Sequence, residues 1–238
     1  MGLKYAEWDE LSLKLAKTLW PGPLTIILPK KKDISNMISS GLSTVGLRMP
    51  NHPLSLKLIE NINIPLCAPS ANLFGKTSPT TSQHVLDEFN KEVPVLDGGP
   101  SVKGIESTII QIENDIVHIL RPGMITKKDL ETVINKKVAY KEIEHIPGGL
   151  ENHYQPDLPL VLFQKNHEEN SLPSELRNTS FFELSLSIKP EIAARELYSK
   201  LREASMSENQ FISLSNFENI QHKALRNRLL KASSFYIN

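Results

Sequence analysis

Cysteine is almost absent: Cys67 is the one thiol in 238 residues. A lone thiol closes no internal disulfide and builds no multi-cysteine metal site. Its setting, the apolar run Ile64–Ala68, predicts a small core residue. The scarcity of thiols fits a reducing compartment, so a cytoplasmic location is expected. No apolar run approaches the length of a membrane span. The N-terminus MGLKYAEWDELSLKLAK mixes acidic and basic residues and is no signal peptide. Ala6 stands where a myristoylation site needs a hydroxyl. Charge of one sign is lacking too. The 27 lysines and arginines balance 27 aspartates and glutamates, so nothing advertises nucleic acid as the main partner. Lys30-Lys31-Lys32 is the one basic triplet and reads as a solvated turn.

Several catalytic signatures are missing. There is no G-x-x-x-x-G-K-[ST] loop and no G-x-G-x-x-G turn. No G-x-S-x-G elbow is present, so Ser70 is not read as a hydrolase nucleophile. The seven histidines show no metal-ligand spacing, and His145 and His153 fall in a linker. Repeats and low-complexity tracts are absent.

What is there reads as alternating helices and strands. Trp8, Leu11, Leu15 and Leu19 recur at helical spacing, and Trp20-Pro21-Gly22-Pro23 stops that helix. Strands are predicted at Leu24–Leu28, Ser43–Met49, Ile64–Ala68 and Val93–Leu96. Helices are predicted from His52-Pro53 to about Asn61 and from Thr81 or Ser82 to about Asn90. Ser107–Ile112 and Ile116–Leu120 read as a hairpin turning at Asn114-Asp115. Thr126 and Asp129 have capping-box spacing for a helix to about Asn135. From Val138 to Pro159 periodicity fails, and Pro147-Gly148-Gly149 and His153-Tyr154-Gln155-Pro156 mark a linker. Beyond it, strands at Leu160–Phe163, Phe181–Leu186 and Phe211–Leu214 alternate with helices from Pro190 and about Gln221. That alternation predicts a small α/β domain with a parallel sheet.

Polar residues cluster at the predicted strand ends: Thr44 and Arg48, Ser70 and Asn72, Ser78, Ser107 and Thr108, and Arg121. Arginine forks bind carboxylate and phosphate bidentately, and hydroxyls with backbone N–H groups complete such a cradle. The set therefore suits an anionic ligand. Each member also has a plainer reading: a surface arginine at position 48, a turn at Ser70-Ala71-Asn72, loop solvation at Arg121.

The succession WPGPLTIILP, STVGLRMPNHP, APSANLFGKTSPT, GIESTIIQI, ILRPG and PGGLENHYQP resembles the YrdC-like threonylcarbamoyl-AMP synthases, in family order from about Trp20 to Pro156. It is most similar to their two-domain variety. The resemblance implies a YrdC-like twisted open sheet with flanking helices, spanning 1–137. A linker or lid at 138–158 and a small Rossmann-like C-terminal domain at 159–238 would follow. The implied enzyme is a nucleotidyltransferase that makes threonylcarbamoyl-AMP and pyrophosphate from L-threonine, bicarbonate and ATP, for threonylcarbamoyladenosine in tRNA.

By position, the family pattern puts Arg48, Ala68 and Ser107 on threonine and Thr44, Ser70, Ser78 and Arg121 on ATP. Ser70 and Asn72 form the Ser-x-Asn element, and Tyr154 would close over the nucleotide. Mg²⁺ is expected with the triphosphate, although no carboxylate cluster stands out to hold it. tRNA or tRNA-modification proteins are implied partners, and a membrane is not. Two departures accompany the resemblance. Gln155 replaces a common Ala, and the Lys-x-Arg element that the family carries in its first segment is not found ahead of WPGPLT; the one Lys-x-Arg in the sequence, Lys200-Leu201-Arg202, lies far beyond it. The expectation is a family sheet lacking its first strands. Two other functions are kept beside the synthase: a shortened, inactive remnant that still binds nucleotide or RNA, and a carbamoyl-transfer domain on the same fold.

Overall fold

The computed structural model describes residues 1–141, 153–165 and 172–238. The chain divides into two compact units, each discontinuous in sequence: Met1–Pro69 with Glu106–Ile146, and Ser70–Ile105 with Pro147–Asn238. Among the described residues no helix is long and apolar enough to cross a membrane.

The first unit is built on a five-stranded mixed sheet. Its strands are β1 (Leu24–Pro29), β2 (Thr44–Leu47), β3 (Thr108–Glu113), β4 (Ile116–Arg121) and β5 (Val138–Tyr140), in the order β2-β1-β3-β4-β5. β1 runs antiparallel to β2 and parallel to β3, with Ile26 opposite both Leu47 and Ile110. Period-two alternation along β1 buries Leu24, Ile26 and Leu28. They meet Leu15 and Ala16 of α1 (Glu10–Leu19) and Leu130 and Ile134 of α4 (Lys127–Ile134) in one core. Both helices start where a side chain can satisfy free backbone N–H groups. Asp9 accepts from Ser12 N–H at 2.6 Å, so α1 begins at Glu10 and not at Trp8. Thr126 and Asp129 form the expected reciprocal capping box. The β3–β4 turn places Asn114 and Asp115 at φ +50° and +61°, the left-handed pair that a tight hairpin needs.

The second unit holds a four-stranded all-parallel sheet: β6 (Leu160–Phe163), β7 (Phe181–Glu183), β8 (Phe211–Leu214) and β9 (Ser233–Ile237), in the order β7-β8-β6-β9. β6 is buried along its whole length, as expected of a strand covered on both faces. α5 (Pro190–Ser205) buries Ala193, Leu197, Leu201 and Ala204, and α6 (Lys223–Ala232) buries Leu225 and Leu229. The unit also contains α3 (Ser82–Glu88), capped by Thr81.

Four expectations need correction. Ile64–Ala68 is not a strand, and Cys67 is exposed rather than a core residue. A wholly apolar run becomes a strand only if a neighbour supplies its ladder, and none among the described residues does. Val93–Leu96 forms no strand for the same reason, and Leu96 is 64% exposed. The helix at α2 (Pro53–Ile62) forms, with Pro53 in its first turn, but it buries no residue. Periodicity alone could not tell whether anything covers its apolar face. Conversely, Val138–Tyr140, read as the start of a linker, pairs in parallel with Val117–Ile119; three residues are too few for an alternation to register. β9 was unforeseen because it follows α6 without a break. The linker marks at Pro147-Gly148-Gly149 and His145 lie outside the described residues.

α4 allows a comparison of cap and core. Leu130 is fully buried, so Leu130→Ala should lose about 2–5 kcal/mol. Thr126→Ala should lose about 1 kcal/mol. Urea midpoints of the two variants should fall in that order.

Candidate functional site

The sequence-expected residues divide between the units. Thr44, Arg48, Ala68, Ser107 and Arg121 belong to the first; Ser70, Asn72, Ser78 and Tyr154 belong to the second.

In the first unit the structure brings Ser107 and Arg121 together. Arg121 ends β4 and is nearly buried. Its Nε and Nη2 donate to the Ser107 carbonyl at 3.2 and 3.0 Å, and Nη2 also reaches Ser107 Oγ at 3.2 Å. Ser107 Oγ lies 2.7 Å from Thr25 Oγ1. The alternation that sends Ile26 into the core turns Thr25 to the opposite face, so β1 supplies this third hydroxyl. A hydroxyl polarised by a guanidinium on one side and hydrogen-bonded on the other is held in one orientation. Thr108 Oγ1 donates to the Ile125 carbonyl at 2.7 Å and ties the start of β3 to the turn after β4. Thr44 opens β2 opposite Pro29, half-buried. Arg48 follows β2 and is exposed. Desolvation lowers its guanidinium from the ordinary value, but a guanidinium stays charged at any pH of interest. Ala68 lies in the exposed stretch after α2.

In the second unit Asn72 and Ser78 share one loop. Asn72 Nδ2 donates to the carbonyls of Leu73 and Lys76 at 2.8 and 3.2 Å, which folds the Gly75 turn. Ser70 is exposed and Ser78 buried. Residues 153–157 run beside this loop. Thr77 N–H donates to the Gln155 carbonyl at 3.1 Å and Gln155 N–H to the Gly75 carbonyl at 2.9 Å. Thr77 Oγ1 donates to the Tyr154 carbonyl at 3.0 Å, and Lys76 pairs with Asp157 at 2.6 Å. Tyr154 itself is 1% exposed. Its ring stacks on Tyr198 at 5.7 Å, and the Arg228 guanidinium lies 5.1 Å from its centroid. At φ +65° its backbone is in a region that bulky residues seldom adopt, and this packing holds it there.

Four positions escaped sequence reasoning. Thr25 was hidden in a strand read only for its apolar residues. Gly123 follows the end of β4, and nothing beside it in sequence marks its close approach to Ser107 and Thr108. Glu88 and Arg202 carry no local signal, because each finds its partner 114 positions away along the chain. Among the described residues no group of three or more His, Cys, Asp or Glu side chains is placed to hold a metal ion.

Residues 2–123 match the Sua5/YciO/YrdC family model, whose description reads telomere recombination. Residues 125–234 match the model for the C-terminal domain of threonylcarbamoyl-AMP synthase. The chain is 42% identical over 167 residues to a threonylcarbamoyl-AMP synthase of Bacillus subtilis, covering 67% of this chain and 48% of that protein. It is 39% identical over 166 residues to one from Pyrococcus abyssi, covering 66% and 49%. Among solved structures, P. abyssi Sua5 complexed with L-threonine superposes with a TM-score of 0.85 at 31% identity, covering 99% of this chain and 78% of that one.

An α/β chain that carries this arginine–hydroxyl arrangement and matches the first model over half its length belongs to the Sua5/YciO/YrdC family. Its second half places it with the two-domain Sua5 members. The chain spans about half the length of the curated relatives it matches.

Two outcomes test this geometry. A Cβ at Gly123 would sit 2.6 Å from Thr108 Oγ1 and 2.8 Å from the Ser107 carbonyl carbon. Gly123→Ala should therefore push the start of β3 aside and cost about 1–3 kcal/mol, read as a lower urea midpoint. The second concerns His84, beside the Ser78 loop. Its Nδ1 accepts from Thr80 N–H at 3.2 Å, which needs an unprotonated ring nitrogen. Burial first, then the Arg202 charge, lower its pKa. The unfolded chain then binds the proton more readily, so this stability is present above about pH 6.5 and is lost as pH falls through the lower folded value. His84→Gln should flatten the dependence of the urea midpoint on pH between about 5 and 7.

Proposed function

We propose that this chain carries the L-threonylcarbamoyladenylate synthase activity: L-threonine, bicarbonate and ATP give threonylcarbamoyl-AMP and pyrophosphate. The observation that carries the reading is the C-terminal match, because that domain model is the one described by this activity. The threonine-bound Sua5 relative supports threonine as the amino-acid substrate. The catalytic domain, expected at 1–137, takes in β5 as well; the rest of the stretch to 158 is the linker, and 159–238 the C-terminal domain.

The threonine amine and bicarbonate condense to a carbamate with loss of water. A carbamate oxygen then attacks the α-phosphorus of ATP, and the bond to the β-phosphate oxygen breaks to release pyrophosphate. Such a reaction asks the protein for positioning and charge stabilisation more than for covalent help. Arg48, Ala68 and Ser107 hold threonine. Thr44, Ser70, Ser78, Arg121 and Tyr154 serve ATP, with Asn72 shaping the loop that carries Ser70 and Ser78. The Arg121–Ser107 contact supports a functional link between the two substrates: the guanidinium assigned to ATP orients the serine assigned to threonine. Mg²⁺ enters as the companion of the ATP phosphates, as part of the substrate. The product is consumed in threonylcarbamoyladenosine formation on tRNA, in the cytoplasm.

Release of pyrophosphate from ATP by the chain should require both threonine and bicarbonate. Release that persists without threonine would overturn the reading. Arg48→Ala should raise the KM for threonine about 10- to 100-fold, the loss of a charged hydrogen bond, and leave ATP affinity within about twofold. An equal loss for both substrates would remove Arg48 from its role.

A further inference from the structure

We propose that Glu88 and Arg202 are positioning residues that hold the Ser70–Ser78 loop in its nucleotide-binding shape. The proposal rests on the reading of that loop as part of the ATP site. Glu88, the last residue of α3, spans the two flanks of the loop through its carboxylate. Its Oε1 accepts the Leu73 N–H at 2.8 Å, one residue after Asn72. Its Oε2 pairs with Arg202 Nη2 at 2.9 Å. The same Nη2 donates to the Thr77 carbonyl at 2.5 Å, one residue before Ser78. A single ion pair thus grips the main chain directly after the Ser-x-Asn element and directly before the next ligand serine.

The pair is well shielded. The Arg202 and Glu88 side chains are 17% and 10% exposed. Salt screens such a pair weakly, and loss of either member leaves a poorly solvated charge behind. Arg202 is anchored on α5, whose Leu197, Tyr198 and Leu201 are fully buried. It lies in the segment that matches the C-terminal domain model, whereas Glu88 and the loop lie in the segment that matches the first. All of these residues belong to one compact unit. The C-terminal domain therefore contributes a residue that shapes the loop, in addition to the main-chain pairing from Gln155.

The full chain and the variants Glu88→Ala, Arg202→Ala, their double variant and Arg202→Lys should be titrated calorimetrically, with ATP and separately with L-threonine. Circular dichroism confirms the folded state at the working temperature. Glu88→Gln serves where an alanine variant does not fold, since it keeps the shape and removes the charge. Each single variant should weaken ATP binding about 10- to 100-fold, as expected of a misplaced contact loop, and leave threonine binding within about twofold. The double variant should be no weaker than the worse single one, because the two act as a unit. Arg202→Lys should recover most of the affinity. Unchanged ATP affinity in both single variants overturns the proposal, and so does a parallel loss of ATP and threonine binding that follows the melting temperature. Absence of ATP binding by the unaltered chain overturns instead the reading of the loop on which the proposal stands.

Discussion

The register of β1 against its two neighbours is the constraint on which the first unit depends. Leu24, Ile26 and Leu28 must face α1 and α4, because those helices bury their apolar stripes against this row. A slip of one residue would send the three side chains to the other face and drive Thr25 into the core. The register that buries the core also aims Thr25 at Ser107. Packing energy and site geometry are thus set by one choice, and the polar cluster needs no separate source of order. Arg121 benefits in the same way, since it ends the strand that pairs with β3 and so reaches the Ser107 carbonyl.

The second unit solves a different problem. Its ligand loop has no strand ladder of its own, so its main-chain groups find partners elsewhere: in residues 154–155, in the Asn72 amide and in the Glu88–Arg202 pair. Loops that carry function are ordinarily the mobile parts of a fold. Here a shielded ion pair and an adjoining extended segment restrain one, and one restraining residue, Arg202, is more than a hundred positions away in sequence. Tyr154 is drawn into the same arrangement, with its carbonyl on Thr77 and its ring on Tyr198.

Helices and hairpins were readable because their signals are local. Thr126 with Asp129 and Asn114-Asp115 each act within four residues, so spacing alone located the helix they start and the hairpin they turn. The order of the polar motifs was equally readable and pointed to the family. The strands expected at Ile64–Ala68 and Val93–Leu96 failed because a strand is a property of a pair, and no residue in the run names its partner. Ile64, Leu66 and Leu96 accordingly remain exposed. Cys67 was misplaced by the same reasoning.

The sequence by itself determined the α/β class, the helix starts, the hairpin turn and the residue types available for an anionic ligand, because these follow from neighbours along the chain. Tertiary structure alone decided that Thr25 and Arg121 converge on Ser107, that Tyr154 is buried, and that Glu88 with Arg202 spans the loop between Asn72 and Ser78. Those pairings close over 82, 14, 77 and 114 residues. At such separations nothing local selects a partner; the choice is made when sheets and helices bury their apolar faces together.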